Sequence, residues 1–183
     1  MNWVLVGMKG CGKSTLGEAL SILASRSFYD TDKLIEQFHC EASKTKLHYS
    51  DIYRRIGAQQ FREYEQRAVD SVTNVSNAVI ATGGGTLMNA TSAEKLKQGG
   101  LIIYLHQTEP VFLTKLHANH PICNIEDSSG SYPTWQHYYQ RRHQVFQQHH
   151  HLLFSPNYQS VTTDAQVLLN YINKTSQSDQ RRP

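Results

Sequence analysis

A glycine-rich segment near the start of the chain has the residue types and spacing of a phosphate-binding site. Residues 7–14 read G-M-K-G-C-G-K-S, a complete G-x-x-x-x-G-K-[ST] loop. An apolar run at residues 3–6 precedes the loop, and apolar residues at helical spacing follow it over residues 15–23. Because strand, loop and helix occur in the order that such a loop requires, the segment predicts a nucleotide site.

Each part of the loop has an expected contact with the nucleotide. Glycines let successive backbone N–H groups turn toward phosphate oxygens, and the following helix adds the positive end of its dipole. Lys13 is expected to reach the β- and γ-phosphates, and the Ser14 hydroxyl to ligate Mg²⁺. The residues predicted to hold the nucleotide are Gly10, Cys11, Gly12, Lys13, Ser14 and Thr15.

The composition excludes several classes of protein. The chain has 183 residues, and 18 Lys and Arg against 15 Asp and Glu give a formal net charge of +3. This charge suits an anionic ligand, but no nucleic-acid motif or basic run accompanies it, and no apolar run is long enough to span a membrane. The three cysteines are far apart, and no signal peptide precedes the first strand, which favours the reducing cytoplasm. We expect no nucleic-acid or membrane partner.

Apolar runs alternate with helical patterns, which predicts an α/β fold with a parallel sheet covered on both faces. Residues 117–134 lack periodicity, and a loop of this length indicates a mobile lid in a phosphotransferase. We predict one domain over residues 1–174 and a flexible tail over 175–183. Strands are expected at 3–6, 28–29, 78–82, 101–105 and 160–162. A short helix from about Ser50 through Ile56 is expected to end at Gly57, and the later helices are expected at about 58–72, 91–99, 135–149 and 164–173.

Four further features follow the loop along the chain. They are Asp30-Thr31-Asp32 after the second strand, Gly57-x-x-x-Phe61-Arg62-x-x-Glu65 at the long helix, the triple glycine 83–85 after the third strand, and Arg142 beyond the lid. In order and spacing, this set resembles shikimate kinase, of the nucleoside-monophosphate-kinase-like P-loop group, over nearly the whole chain. The resemblance implies a P-loop NTPase fold with a five-stranded parallel sheet, and ATP-dependent phosphorylation of the 3-hydroxyl of shikimate on the way to chorismate and the aromatic amino acids.

The resemblance also assigns roles to the two aspartates. Asp30 supports Mg²⁺ together with Ser14, since the run 79–82 ends in glycine instead of the usual metal-binding aspartate. Asp32 contacts the accepting hydroxyl and orients or deprotonates it. The alternative reading of the pair is a helix N-cap with an acidic residue in the first turn.

Two arginines and the triple glycine match the substrate-binding positions of the family. Arg62 and Arg142 grip the shikimate carboxylate, because a planar guanidinium can donate two parallel hydrogen bonds to it. Glu65, one helical turn after Arg62, is expected to hold that arginine in place. Arg141 is the alternative to its neighbour, since the register of that helix is open. Gly83, Gly84 and Gly85 allow backbone N–H groups to approach the substrate, with a flexible turn as the alternative.

The lid departs from the family pattern. Where the family carries Arg-Pro-Leu-Leu, this chain has His120-Pro121-Ile122-Cys123. His120 is expected to contact the nucleotide, although histidine is shorter than arginine and only partly charged at neutral pH. Two other functions stay open: a regulatory nucleotide-binding protein with a degenerate lid, and a kinase for another small hydroxy acid such as gluconate. Family members are commonly monomers, and we expect one here.

Overall fold

A computed structural model describes residues 1–119 and 135–179 of the chain. Its strands are β1 (Asn2–Val6), β2 (Ser27–Asp30), β3 (Ala78–Ala81), β4 (Gly100–Leu105) and β5 (Leu152–Phe154). In the described chain they form one sheet of five strands in the order β2-β3-β1-β4-β5, and every neighbouring pair is parallel. The predicted parallel five-stranded sheet is confirmed. The central position of β1 puts the loop that follows it at the middle of the carboxyl edge.

Helices separate the strands along the chain. They are α1 (Lys13–Leu23), α2 (Thr31–Ser43), α3 (Tyr49–Thr73), α4 (Ala90–Gly99), α5 (Glu109–Asn119), α6 (Trp135–His149) and α7 (Val161–Asp179), with a short 3-10 turn at Thr86–Met88. None of the helices in the described ranges combines the length and the apolar character that crossing a membrane requires.

The side chains of β1 alternate between two hydrophobic cores. Val4 and Val6 belong to a cluster with residues of α3, α4 and α6, whereas Trp3 and Leu5 belong to a cluster with residues of α1 and α7. Both faces of the sheet are therefore covered by helices. This double burial explains why the strands read as continuous apolar runs instead of alternating with polar residues.

The long helix α3 is interrupted at Gly57. The backbone there has φ +78° and ψ 172°, a conformation that glycine adopts at little cost. The break agrees with the prediction that a helix ends at this glycine and another begins after it. It allows Ile52 and Phe61, on either side, to enter one small core with Ile35 of α2.

The prediction for the last strand was wrong. The sheet ends with Leu152–Phe154. Of residues 160–162, expected to be a strand, Ser160 directly precedes helix α7 and the other two form its start. The backbone N–H of Asp164 donates to the Ser160 carbonyl at 2.9 Å, and the Asp164 carboxylate accepts the N–H groups of Asn157 and Tyr158. Edge strand β5 buries only Leu152 and Phe154, so three residues are enough to complete it.

Most of the segment predicted as a lid lies outside the described residues. Helix α5 continues through Asn119, so residues 117–119 are helical, and residues 120–134 lie outside the described part of the chain. At the other end, α7 continues to Asp179 and passes residue 173, where we expected it to stop.

Candidate active site

A cavity of about 540 Å³ lies at the carboxyl edge of the sheet. The ends of neighbouring parallel strands meet at this edge, which is where open α/β sheets bind ligands. Three segments converge there because they follow β1, β2 and β3, and α6 closes the cavity from the side. Twelve of the fourteen predicted positions line it: Gly10, Gly12, Lys13, Ser14, Thr15, Asp30, Asp32, Arg62, Gly83, Gly84, Gly85 and Arg142.

One predicted contact, Cys11, does not line the cavity, and another lies outside the described residues. The side chain of Cys11 is fully buried beneath the loop, where it packs with Leu5 and Leu105 in a hydrophobic core. Its N–H donates to the Met8 carbonyl at 3.2 Å. Cys11 therefore supports the loop from below. His120 lies outside the described residues.

The ammonium group of Lys13 is fixed inside the phosphate-binding loop. Its Nζ donates to the carbonyl oxygens of Gly7 at 3.0 Å and Met8 at 2.8 Å, and only 7% of the residue is exposed. The N-terminal turn of α1 begins at the same lysine and carries Ser14 and Thr15. The positive charge and the helix N-terminus therefore lie at the same end of the cavity, an arrangement that favours binding of a phosphate group.

Asp30 lies at the junction of β2 and α2, where it caps the helix. Its Oδ1 accepts hydrogen bonds from the N–H groups of Asp32 at 2.9 Å and Lys33 at 3.4 Å. The alternative reading of this aspartate as an N-cap is thus realised. While it caps the helix, the Asp30 side chain also lines the cavity, as Ser14 does.

These two residues fit Mg²⁺. Carboxylate and hydroxyl oxygens are its preferred ligands, and the ion usually takes only one or two protein carboxylates besides phosphates and waters. Within residues 1–119 and 135–179, no group of three or more His, Cys, Asp or Glu side chains could hold a metal by itself. The donor set is therefore of the kind that shares Mg²⁺ with a nucleotide.

Asp32 is a titratable group of the cavity whose pKa departs strongly from its ordinary value. Burial raises the pKa of its carboxyl from 3.8 to about 7, and the neighbouring Asp30 charge adds to the increase. The ammonium groups of Lys13 and Lys9 act in the opposite direction but do not cancel it. A carboxylate with a pKa close to the working pH can accept a proton from an alcohol during a reaction.

The triple glycine is packed against functional side chains. A β-carbon on Gly83 would lie 2.7 Å from Oδ1 of Asp32, and one on Gly84 would lie 3.1 Å from the backbone nitrogen of Lys9. A β-carbon on Gly85 would lie 3.4–3.7 Å from guanidinium nitrogens of Arg142 and 3.5 Å from Nη1 of Arg62. The segment is therefore a close-packed wall of the cavity and not a flexible turn.

The two predicted arginines face this wall and are held by different means. Arg62 forms an ion pair with Glu65 one helical turn away, as the sequence predicted, while about half of its side chain stays exposed. Arg142 donates from Nη1 to the Gly84 carbonyl at 2.6 Å. Its neighbour Arg141 is exposed, so the structure places Arg142 in the cavity.

Arg142 is a partly buried cation. Burial, and then the nearby charge of Arg62, lowers the pKa of its guanidinium, although an arginine remains charged at neutral pH. Among the described residues, no carboxylate forms an ion pair with it. A ligand carboxylate would therefore meet an available positive charge here.

Several residues of the cavity were not predicted from the sequence. Lys9 belongs to the loop, and its ammonium lies 5.3 Å from the centre of the Tyr49 ring. Tyr138 stands one helical turn before Arg142, a spacing that could have indicated a shared face. The other aromatic residues of the lining are Tyr53, Phe61, Phe112 and Trp135.

Comparison with known proteins places the chain in a family. A family model described as shikimate kinase matches residues 9–173. The chain belongs to the shikimate kinase family. The shikimate kinase of Caldanaerobacter subterraneus is 33% identical over 128 residues, which are 69% of this chain and 71% of that protein. The shikimate kinase of Alkaliphilus oremlandii is 39% identical over 115 residues, and that match spans 63% of this chain and 64% of the relative.

Solved structures of the family share the fold. The shikimate kinase from Acinetobacter baumannii in complex with shikimate superimposes with a TM-score of 0.76 at 27% identity, covering 95% of this chain and 93% of that one. The shikimate kinase from Aquifex aeolicus gives 0.75 at 21% identity, covering 96% and 98%. A gluconokinase from Sinorhizobium meliloti gives only 0.55 at 15% identity, covering 99% and 97%, and shares the fold alone. The predicted P-loop NTPase fold is confirmed.

Proposed function

We propose that this chain transfers the γ-phosphoryl group of ATP to the 3-hydroxyl of shikimate, giving shikimate 3-phosphate and ADP. One observation carries the proposal: the Asp32 carboxyl, with a pKa of about 7, lies in one cavity between the phosphate-binding loop and the guanidinium groups of Arg62 and Arg142. A proton acceptor thus stands between a phosphate site and a carboxylate site. Shikimate has a hydroxyl group and a carboxylate to match, and the structural relative from Acinetobacter baumannii is a complex with it.

The donor end of the cavity would hold ATP. The backbone N–H groups of Gly10 and Gly12 and the ammonium of Lys13 would bind the phosphate oxygens. Ser14 and Asp30 would hold Mg²⁺, which neutralises phosphate charge when it is bound. Because phosphoryl transfer depends mainly on position and charge, these residues need no covalent role.

The acceptor end would hold shikimate. Arg62 and Arg142 would bind its carboxylate, and the wall from Gly83 to Gly85 would let the ring approach the backbone closely. The acceptor oxygen then attacks the γ-phosphorus, the bond to the β-phosphate oxygen breaks, and ADP leaves with that electron pair. Asp32 takes the proton of the hydroxyl group as the new P–O bond forms.

A coupled assay of ADP release tests the proposal. The purified chain is supplied with ATP and Mg²⁺ and with shikimate, with gluconate, or with no acceptor. Release that depends on shikimate is the expected result. Release with gluconate alone would make the chain a kinase for another hydroxy acid, and ATP binding without any acceptor-dependent release would make it a regulatory protein.

The family also suggests an oligomeric state and a cellular location for this chain. We propose a cytoplasmic monomer, in agreement with the free thiols of Cys11 and Cys40. Size-exclusion chromatography with light scattering tests the oligomeric state.

A further inference from the structure

The ring of Tyr138 lies against the guanidinium of Arg142. The Cζ atom of the arginine is 4.1 Å from the centre of the ring, within the range of a cation–π contact. The two residues are one turn apart on α6, so the helix itself brings them together. The edge of the guanidinium donates to the Gly84 carbonyl at 2.6 Å. The contact with the ring thus sets the plane of the guanidinium, and the hydrogen bond to Gly84 sets the direction in which the guanidinium points.

Tyr138 is held in turn by two other aromatic residues. The ring of Phe112 on α5 is stacked on it at an interplanar angle of 14°, with 6.1 Å between centres. The ring of Trp135 meets it edge-on, with 5.5 Å between centres. Tyr138 is 9% exposed and Phe112 is 2% exposed, so both rings are closely packed. We call Phe112, Trp135 and Tyr138 the aromatic support.

Arg142 and Arg62 are held by different kinds of interaction. An ion pair with Glu65 fixes Arg62, but a carboxylate beside Arg142 would compete with a ligand carboxylate for the same donors. A ring face stabilises a buried cation without occupying its N–H groups. The aromatic support can therefore fix Arg142 while the N–H groups that do not bond the Gly84 carbonyl stay available.

We propose that Tyr138 is a positioning residue for substrate recognition: its ring sets the plane in which Arg142 meets the carboxylate of the acceptor. The inference rests on the proposed function, since it names how that site selects an acid. The role belongs to the ring face and not to the hydroxyl group. Loss of the ring should therefore weaken recognition of the carboxylate more than recognition of the rest of the acceptor.

The test compares Tyr138→Leu with Tyr138→Phe, using shikimate and its methyl ester as acceptors. We expect Tyr138→Leu to lower kcat/KM for shikimate about tenfold, mainly through a higher KM, and to change kcat/KM for the ester much less. A tenfold loss corresponds to about 1.4 kcal/mol, which lies between the values for exposed and for desolvated cation–π contacts. Tyr138→Phe should retain the preference of the wild type for the acid.

Tyr171→Leu is the matched control, because the same substitution there affects a tyrosine that is 42% exposed on α7. It should leave both acceptors unchanged. A second measurement, calorimetric titration with shikimate, reports binding when turnover is lost.

Three outcomes would overturn the inference: an equal loss for acid and ester in Tyr138→Leu, a loss of preference in Tyr138→Phe, or no loss at all. If the wild type binds shikimate but does not phosphorylate it, the proposed function fails, while titration of the Leu and Phe variants still decides the role of Tyr138. If the wild type does not bind shikimate, both proposals fail.

Discussion

Oδ1 of Asp32 lies 2.7 Å from the point where a β-carbon on Gly83 would stand. The carboxylate of the candidate proton acceptor therefore occupies the space that a side chain at position 83 would fill. The Gly83 N–H donates to Oγ1 of Thr31 at 2.9 Å, which ties the wall to the helix that carries Asp32. Because of this contact, the position of the carboxylate depends on a residue that has no side chain.

Gly83→Ala should reduce catalysis without preventing ATP binding. The added methyl group would force the Asp32 carboxylate to move, and a displacement of about 1 Å in a reacting group can cost about a hundredfold in rate. We expect kcat to fall at least tenfold in the coupled assay, with little change in the Kd of ADP. Gly99→Ala is the control, since a β-carbon there would make an ordinary contact at 3.9 Å. Normal kcat in Gly83→Ala would show that the carboxylate position is not critical.

The activity should depend on the ionisation of Asp32. Only the ionised carboxylate can accept a proton, and its pKa is raised to about 7. The value of kcat/KM for shikimate should therefore fall about tenfold per pH unit below pH 7 and level off above it. Asp32→Asn should lose at least about a hundredfold in kcat while ATP still binds. Retained turnover in the steady-state assay would exclude Asp32 from proton transfer.

The same substitution should stabilise the fold at high pH. The pKa of this carboxyl is 3.8 in the unfolded chain and about 7 in the folded one. Below pH 4 the group is protonated in both states and does not change the free energy of unfolding. As the pH rises to 7 the unfolded chain loses the proton first, and the free energy of unfolding decreases. Asp32→Asn removes this decrease, and each kcal/mol raises Tm by about 2–4 °C in a chain of this size. We expect a Tm gain of several degrees at pH 8 and almost none at pH 4. The exposed Asp51→Asn should show no gain.

Glu65→Gln should weaken substrate binding and shift the pH profile. The substitution removes the ion pair that holds Arg62, so KM for shikimate should rise several-fold. It also removes a charge that raises the pKa of Asp32, so the acid side of the profile should move to lower pH. The exposed Glu63→Gln on the same helix is the matched control. A higher KM with an unchanged pH profile would mean that the charge of Glu65 does not affect the pKa of Asp32.

The sequence alone was sufficient for the features with local causes. The phosphate-binding loop depends on backbone geometry within eight residues, and the alternation of buried strands and helices depends on short-range periodicity. These patterns correctly gave the parallel sheet and the break at Gly57. They failed at the last strand, because β5 is completed by three residues whose pairing with β4 compensates for a weak local signal.

Only the tertiary structure decided how the candidate site is charged and oriented. Arg142 and not Arg141 meets the Gly84 carbonyl, a contact between residues 58 positions apart that no local pattern encodes. The raised pKa of Asp32 and the ring contact of Tyr138 likewise arise from burial and from neighbours on other elements. The sequence therefore specified which groups are present, whereas packing set their ionisation and direction, because both depend on distances between elements that are remote in the chain.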